Sequence, residues 1–118
     1  MPRLSTGYII AGAYANKVRR VLFALTKPLK VPSDAVVEAS KNLNMKLLRI
    51  LQECGIDKGD VVRIIIDFDI EDGEITWKWD TLSIEYFKRV DLGDKPKKIL
   101  ESLLKEEASP QEGESREV

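Results

Sequence analysis

The sequence has no histidine and a single cysteine, Cys54, among its 118 residues. Without histidine the chain cannot build a Ser–His–Asp or Cys–His catalytic site, and almost every zinc site is excluded as well. One cysteine cannot form a disulfide within the chain. We therefore expect a protein that is not an enzyme and that has no cofactor and no small-molecule substrate.

Long apolar runs are also missing. No stretch approaches the roughly 20 apolar residues of a membrane-spanning helix, and the first 20 residues lack the apolar segment and cleavage site of a signal peptide. We expect a cytoplasmic protein without membrane contact. A charged content of 33%, with few Asn, Gln and Cys, is typical of thermophile proteins.

Charge is unevenly divided along a chain whose net charge is only −1. Residues 1–49 carry nine Lys and Arg against two acids, giving +7, whereas residues 50–118 carry ten against eighteen, giving −8. Such asymmetry indicates a basic binding face on one part and an acidic tail on another. We expect one domain over residues 1–107 and an acidic, disordered tail over residues 108–118.

Helical spacing predicts two long helices in the first half of the chain. The first covers residues 11–26, and its core face is formed by Tyr14, Val18, Val21, Leu22 and Leu25. The second covers residues 33–54, with Ser33 as its N-cap, and its buried stripe is Val36, Leu43, Leu47, Ile50 and Leu51. Met45 and Leu48 lie off this stripe and are free to face a partner chain. A short third helix is predicted over residues 94–107.

The segment that follows alternates with period two and contains Asp72-Gly73, a strong signal for a two-residue hairpin turn. With that turn, the numbers of paired residues sum to 145. Phe68 then faces Trp77, Ile66 faces Trp79 and Asp67 faces Lys78. A spacing of two sends both tryptophans to one face, so we expect them to share one fate. Core packing is favoured, and a ring edge that lines a cleft and meets a base is the alternative.

A further strand over residues 82–90 completes the predicted sheet. It follows a break at Asp80-Thr81 that is either a turn or a bulge, and in both cases Leu82, Ile84 and Tyr86 join the tryptophan face. These elements predict an α+β fold, a two-layer sandwich in which an antiparallel β-meander of three to four strands is covered on one face by two long helices, with a short C-terminal helix.

The acidic run DFDIEDGE fails as a calcium loop, because its glycine position is Asp72 and its twelfth position is Lys78. A two-metal site of Asp67, Asp69 and Asp80 is the other metal hypothesis, and a solvated strand face is favoured over it.

The most informative segment is YANKVRRVLFALTKPLK, residues 14–30. Lys17, Arg20 and Lys27 form a stripe away from the core face, Arg19 lies nearby, and Lys30 extends the patch. On the helical wheel Phe23 falls among these cations, where we expect it to be exposed. Cations that track phosphates beside a ring that stacks on a base suit single-stranded nucleic acid. The alternative is a solvated basic face with Phe23 in an oligomer interface.

Residues 3–90 resemble the archaeal ThermoDBP and ThermoDBP-related proteins in three segments: LSTGYIIAGAYANKVRRVLFA, the second helix, and the GDVVRIIIDF…ITWKWD hairpin. The resemblance implies an atypical protein, without an OB-fold, that binds single-stranded DNA independently of sequence and forms oligomers. ThermoDBP itself has a long C-terminal coiled-coil helix. The short KKILESLLKEE helix here is more similar to the related proteins.

Residues and resemblance together predict a protein that protects exposed single strands of DNA, with RNA as an alternative ligand, and that forms a homo-oligomer, a dimer or a tetramer. The predicted contact residues are Lys17, Arg19, Arg20, Phe23, Lys27, Lys30, Arg63, Trp77 and Trp79. The competing hypothesis is an oligomerisation or adaptor domain whose exposed Phe23, Met45 and Leu48 meet another protein. Salt dependence separates the two, because phosphate neutralisation alone gives a steep loss of affinity with salt.

Overall fold

The computed structural model describes residues 2–108, so the predicted acidic tail lies outside the described residues except for Ala108. Three strands and three α-helices make up this range, with short 3-10 turns on either side of the first helix. In chain order the elements are β1 (Arg3–Ile10), α1 (Tyr14–Thr26), α2 (Ser33–Glu53), β2 (Val61–Glu71), β3 (Glu74–Phe87) and α3 (Lys95–Ala108).

The three strands form one antiparallel sheet in the order β1-β2-β3. The predicted α+β class is confirmed, but the predicted β-meander is wrong, because two helices rather than a hairpin connect β1 to β2. The chain runs from β1 to β2 through α1 and α2, and only β2 and β3 form a hairpin. The break expected at Asp80-Thr81, either a turn or a bulge, is a bulge, so the strand predicted over residues 82–90 continues β3 and ends at Phe87. Strand β1 was not predicted.

The core lies between the helices and one face of the sheet. Along β2 every second residue is fully buried, namely Val62, Ile64, Ile66 and Phe68. The helices contribute Val18, Leu22, Leu43 and Leu47, which are also fully buried and belong to the stripes expected from helical spacing. Helix α1 contacts both β1 and α2, and α2 contacts β3. Burial of these side chains is the main contribution to stability, about 1.5–3 kcal/mol for each large one.

The hairpin turn has the predicted geometry, since φ is positive at both Asp72 (53°) and Gly73 (76°). The sum-145 register is confirmed from the turn as far as Asp67 and Lys78. Beyond that point it is wrong, because Ile66 does not pair with Trp79. Residues 79–82 bulge out opposite the single residue Ile66, and pairing resumes at Ile65 and Ser83.

Strand β1 has a smaller bulge of one extra residue between Ser5 and Tyr8, at Gly7, whose φ of 64° is unfavourable for other residues. At each bulge a threonine hydroxyl replaces the missing backbone partner of β2. Oγ1 of Thr6 accepts a hydrogen bond from the amide of Ile64, and Oγ1 of Thr81 accepts one from the amide of Asp67, both at 2.9 Å.

Helix α3 follows the sheet, and all of its residues are exposed. Its apolar side chains, Ile99, Leu100, Leu103 and Leu104, form one stripe and are each about half exposed. At the start of α2, Pro32 rather than Ser33 is the N-cap, and no side chain caps the helix, so the predicted role of Ser33 is wrong. No helix within residues 2–108 is long and apolar enough to cross a membrane.

Candidate nucleic-acid interface

Helix α1 and the turn after it place five cations on the surface without any acidic residue among them: Lys17, Arg19, Arg20, Lys27 and Lys30, here called the basic cluster. Four of the five are exposed, and Lys17 is half-buried. Within residues 2–108 none of them is in an ion pair with a carboxylate. Their charge is therefore available to an external anion.

Phe23 departs from the prediction. The ring is half-buried and packs against the core, so the expectation of an exposed stacking residue is wrong. The physical reason is that α1 is enclosed on two sides, by β1 and by α2, which hides more than a single helical stripe. Contact between Phe23 and nucleic acid stays a prediction, and such a contact would involve only the exposed part of the Phe23 ring.

A groove with a volume of about 510 Å³ runs between α1 and α2 beside this cluster and is here called the helix groove. Met45 and Leu48 line it and are 66% and 49% exposed, as their positions off the buried stripe predicted. Arg19 and Lys41 supply its charge, and neither is in an ion pair within the described part of the chain. The other lining residues are Tyr14, Val37, Ser40 and Asn44. The helix groove thus combines an apolar surface with two unpaired cations.

A larger groove, of about 750 Å³, lies between the first half of α2 and the hairpin turn. Four carboxylates line it, those of Asp34, Glu38, Asp72 and Glu74, against one cation, Lys41. A negative groove repels phosphates at the distances of a bound strand. Charge therefore favours the smaller helix groove over the larger one.

The two tryptophans differ in exposure, contrary to the expectation that both are buried or both exposed. Trp77 is 4% exposed, its ring lies edge-on to Phe68 at 5.5 Å, and the predicted core packing is confirmed for this residue. Trp79, at the start of the bulge over residues 79–82, is 42% exposed, although its ring centre lies only 6.4 Å from that of Trp77. The Lys46 ammonium of α2 lies 4.8 Å from the centre of the Trp79 ring. Trp79 is therefore the more accessible of the two for stacking.

Arg63 lies on the sheet face that is turned away from the helices, here called the open face. Its guanidinium is ion-paired with Glu85 and lies 5.0 Å from the centre of the Tyr8 ring. The ion pair and hydrogen bond to Glu85 raise the pKa of Arg63. A cation neutralised in this way attracts phosphate less than the basic cluster does, so the expected electrostatic role of Arg63 is weakened.

Two further ion pairs balance charge on the open face. Nε of Arg3 donates to Asp67 at 2.8 Å, and this bond lowers the pKa of Asp67 below its usual value. Nζ of Lys78 lies 2.9 Å from Asp69, whose hydrogen bond raises the pKa of Lys78. Two of the three carboxylates of the metal hypothesis, those of Asp67 and Asp69, are thus engaged with cations, and residues 2–108 contain no cluster of three or more metal-ligating side chains.

Three exposed side chains next to the candidate site residues were missed in the sequence. Tyr8 and Phe87 lie on the open face with ring centres 5.4 Å apart, and Lys46 lies over Trp79. Gly7 was the available signal for Tyr8, because an isolated glycine within an apolar, β-branched run indicates a bulge. Lys46 has no local signal, since its contact joins α2 to a strand that is distant in the sequence.

The chain is similar to known proteins in both sequence and structure. A family model described as ThermoDBP-related, archaea, matches residues 4–76. The crystal structure of pfuThermo-DBP-RP1 (crystal form II) is 43% identical with a TM-score of 0.73, over 97% of this chain and 80% of that one. The structure of apeThermo-DBP-RP2 bound to ssDNA dT10 is 36% identical with a TM-score of 0.77, over 95% of this chain and 53% of that one. No curated protein matches. The chain belongs to the ThermoDBP-related family of archaea.

Proposed function

We propose that this protein binds single-stranded DNA through the basic cluster and the helix groove, independently of sequence, and so protects exposed single strands. The observation that carries the proposal is the set of unpaired cations beside an apolar groove. The related apeThermo-DBP-RP2, whose structure contains ssDNA dT10, supports it.

In the proposed complex the cations of α1 and the following turn neutralise phosphates, while bases lie against the apolar side chains of the helix groove. Arg19 belongs to the basic cluster and also lines the helix groove, so the DNA strand passes from the cluster to the groove at this residue. Apolar contact with base faces does not distinguish one base from another. Sequence independence follows from that chemistry.

The proposal also includes a two-layer arrangement without an OB-fold. Helices α1 and α2 contact the sheet, and alternate residues of β2 are buried beneath these two helices. An OB-fold is instead a five-stranded Greek-key barrel that binds on its strands. Here the nucleic acid lies on the helical layer.

We further propose that the protein acts in the cytoplasm as a homo-oligomer. The apolar stripe of α3 supports the proposal of a homo-oligomer. Four large apolar side chains, each about half exposed on one helix, are typical of a surface that packs on another copy. Oligomerisation brings several basic clusters onto one strand, which raises affinity through effective concentration.

The test is a titration with fluorescent oligo-dT over a range of salt concentrations. Arg20→Glu combined with Lys27→Glu should weaken binding at least about tenfold. The slope of log affinity against log salt should fall by about 0.7 for each phosphate that is no longer neutralised, or about 1.4 in total. Both side chains are exposed and unpaired, so the melting temperature should stay unchanged.

A matched control changes the same number of charges elsewhere. Lys58→Glu combined with Lys97→Glu alters two exposed cations, one before β2 and one on α3, that lie outside the proposed site and form no ion pair within residues 2–108. The control should leave the salt slope intact, apart from a small long-range effect. Equal losses of affinity in the two double variants would mean that only net charge matters, and unchanged affinity in the first would remove α1 from the site. Affinity for a protein partner but not for oligo-dT would instead favour the adaptor hypothesis.

A further inference from the structure

The bulge in β1 reverses which side chains of that strand face the core. Before the bulge, Leu4 and Thr6 point inward and are buried. After it, Ile9 points inward, while Tyr8 and Ile10 point outward and are 62% and 51% exposed. Strict alternation from Leu4 would have buried Tyr8. One extra residue therefore turns an aromatic ring into solvent, and bulges commonly re-aim side chains in this way near functional sites.

The exposed Tyr8 ring is held between two partners on the open face. The Arg63 guanidinium lies 5.0 Å from its centre, and the Phe87 ring meets it nearly edge-on at 5.4 Å. Glu85 fixes the guanidinium through an ion pair. The hydroxyl of Tyr86 donates a 2.6 Å hydrogen bond to Asp60, which anchors the strand end that carries Phe87. The group is thus ordered in advance while Tyr8 stays mostly exposed.

The other bulge of the sheet has the same construction. In β3, residues 79–82 bulge, a threonine hydroxyl accepts a hydrogen bond from an amide of β2, and Trp79 at the start of the bulge is exposed beside Lys46 of α2. In β1, Thr6 accepts the bond from the β2 amide, and Tyr8 becomes exposed beside Arg63. Both edge strands therefore present an aromatic ring with a cation about 5 Å away. The two rings lie on opposite faces of the sheet, Tyr8 on the open face and Trp79 beside α2, and what they share is the chemistry of an exposed ring next to a cation.

We propose that Tyr8, Phe87 and Arg63 form a second stacking site, on the open face, which takes an unpaired base of the same single strand. The inference rests on the proposed function, since it extends the path of the strand beyond the helix groove. Helix α1 packs against β1, so the basic cluster and Tyr8 belong to neighbouring elements at one edge of the sheet. The open face balances its charge through Arg3–Asp67, Arg63–Glu85 and Lys78–Asp69. Binding there comes from stacking rather than from phosphate neutralisation.

Because binding at the open face comes from stacking, a salt titration can distinguish this site from the basic cluster. Removal of a stacking ring lowers affinity at every salt concentration, whereas removal of a cation that neutralises a phosphate also changes the salt slope. Tyr8→Ala and Phe87→Ala should each weaken binding of a long oligo-dT by about fivefold or more. The slope should stay that of the wild type. Arg63→Lys should also weaken binding, because an ammonium lacks the planar group that stacks.

Two variants are the matched controls. Tyr8→Phe keeps the ring and should keep the affinity, and Ser83→Ala changes an exposed residue of β3 four positions before Phe87 and should have no effect. Binding is compared for oligo-dT of about 16 and about 4 nucleotides, the range of site sizes found per domain in other single-strand-binding folds. The decrease in affinity from Tyr8→Ala should be confined to the longer oligomer.

Failure of the inference and failure of the proposed function look different in this experiment. If wild-type protein binds oligo-dT and Tyr8→Ala binds equally well, the stacking site on the open face is wrong. If Tyr8→Ala changes the subunit number in sedimentation while each subunit keeps its affinity, the open face is a contact between copies, which also overturns the inference. If wild-type protein binds no oligomer at any salt concentration, the proposed function itself fails.

Discussion

Nε1 of Trp77 donates a hydrogen bond to the backbone carbonyl of Ala39, 3.0 Å away, and so joins strand β3 to helix α2 across the core. The carbonyl lies within a helix, yet it accepts this additional bond from the indole. A buried Trp needs a partner for its N–H group. The bond therefore places Trp77 in the structure of the core rather than in the binding surface.

Truncation of Trp77 should destabilise the protein strongly. We expect Trp77→Ala to lower the free energy of unfolding by about 3–5 kcal/mol, the usual cost for a buried aromatic residue. Trp77→Phe should cost less, because it retains much of the apolar volume and leaves one backbone acceptor that already has a helical partner. Chemical denaturation of the two variants measures both values. A Trp77→Ala protein that keeps its stability and no longer binds DNA would place Trp77 in the binding site.

The bulged Trp79 should behave in the opposite way. Trp79→Ala should cost about 1–3 kcal/mol of binding to oligo-dT, the range for one base stacked on an aromatic ring, and should shift the melting temperature less than Trp77→Ala does. Fluorescence provides a direct control, since Trp79 is the sole tryptophan in Trp77→Phe. Oligo-dT should quench the emission of Trp77→Phe and leave that of Trp79→Ala nearly unchanged. Quenching in Trp79→Ala alone would reverse the two assignments.

A carboxylate placed in the helix groove should block DNA without unfolding the protein. Leu48→Glu adds a negative charge at a 49%-exposed position that lines the groove, so oligo-dT affinity should fall by about tenfold or more. Stability should change by less than about 0.5 kcal/mol, as for most surface substitutions. Val90→Glu, at a 75%-exposed apolar residue outside the groove, is the matched control. A changed subunit number with unchanged affinity would support the adaptor hypothesis for this groove.

The Arg3–Asp67 pair should make stability depend on pH in the acid range. Arg3 holds the pKa of Asp67 below its unfolded value, so the stabilisation is fully present above about pH 4, the unfolded pKa. It is lost as pH falls through the folded pKa. Arg3→Gln should therefore be destabilising at neutral pH and progressively less so in acid. The same substitution in an Asp67→Asn background should have a cost independent of pH, and a pH-dependent cost there would assign the effect to another group.

The hairpin shows how far sequence reasoning extends in this protein. Asp72-Gly73 fixes the turn type, the turn fixes the register, and alternation then gives the buried residues of β2 correctly. The buried stripes of α1 and α2 follow in the same way from helical spacing. In each case the feature was predicted from residues that are close together in the sequence. The unpaired cations of α1 were found in the same way, because no acidic residue lies near them in the chain.

The missed features depend on contacts between distant segments. A break at Asp80-Thr81 was expected as a turn or a bulge, but the bulge over residues 79–82 is stabilised by an amide of β2 that bonds to Thr81, so β3 alone could not decide between the two. For the same reason the accessibility of Trp79 and its contact with Lys46 were not predicted. Phe23 was misassigned because a helical wheel assumes one buried side, whereas α1 has two neighbours. Sequence periodicity gives faces, and tertiary contacts decide which of them are covered.

The two bulges also affect how this protein behaves at high concentration. In a three-stranded sheet β1 and β3 are both edges, and a regular edge offers a row of free amides and carbonyls on which a strand from another molecule can add. Both edges here are interrupted, at Gly7 and at residues 79–82, so neither presents a long flat template. Resistance to aggregation is therefore built into the sheet itself. Many copies can accumulate side by side without their sheets merging into fibrils.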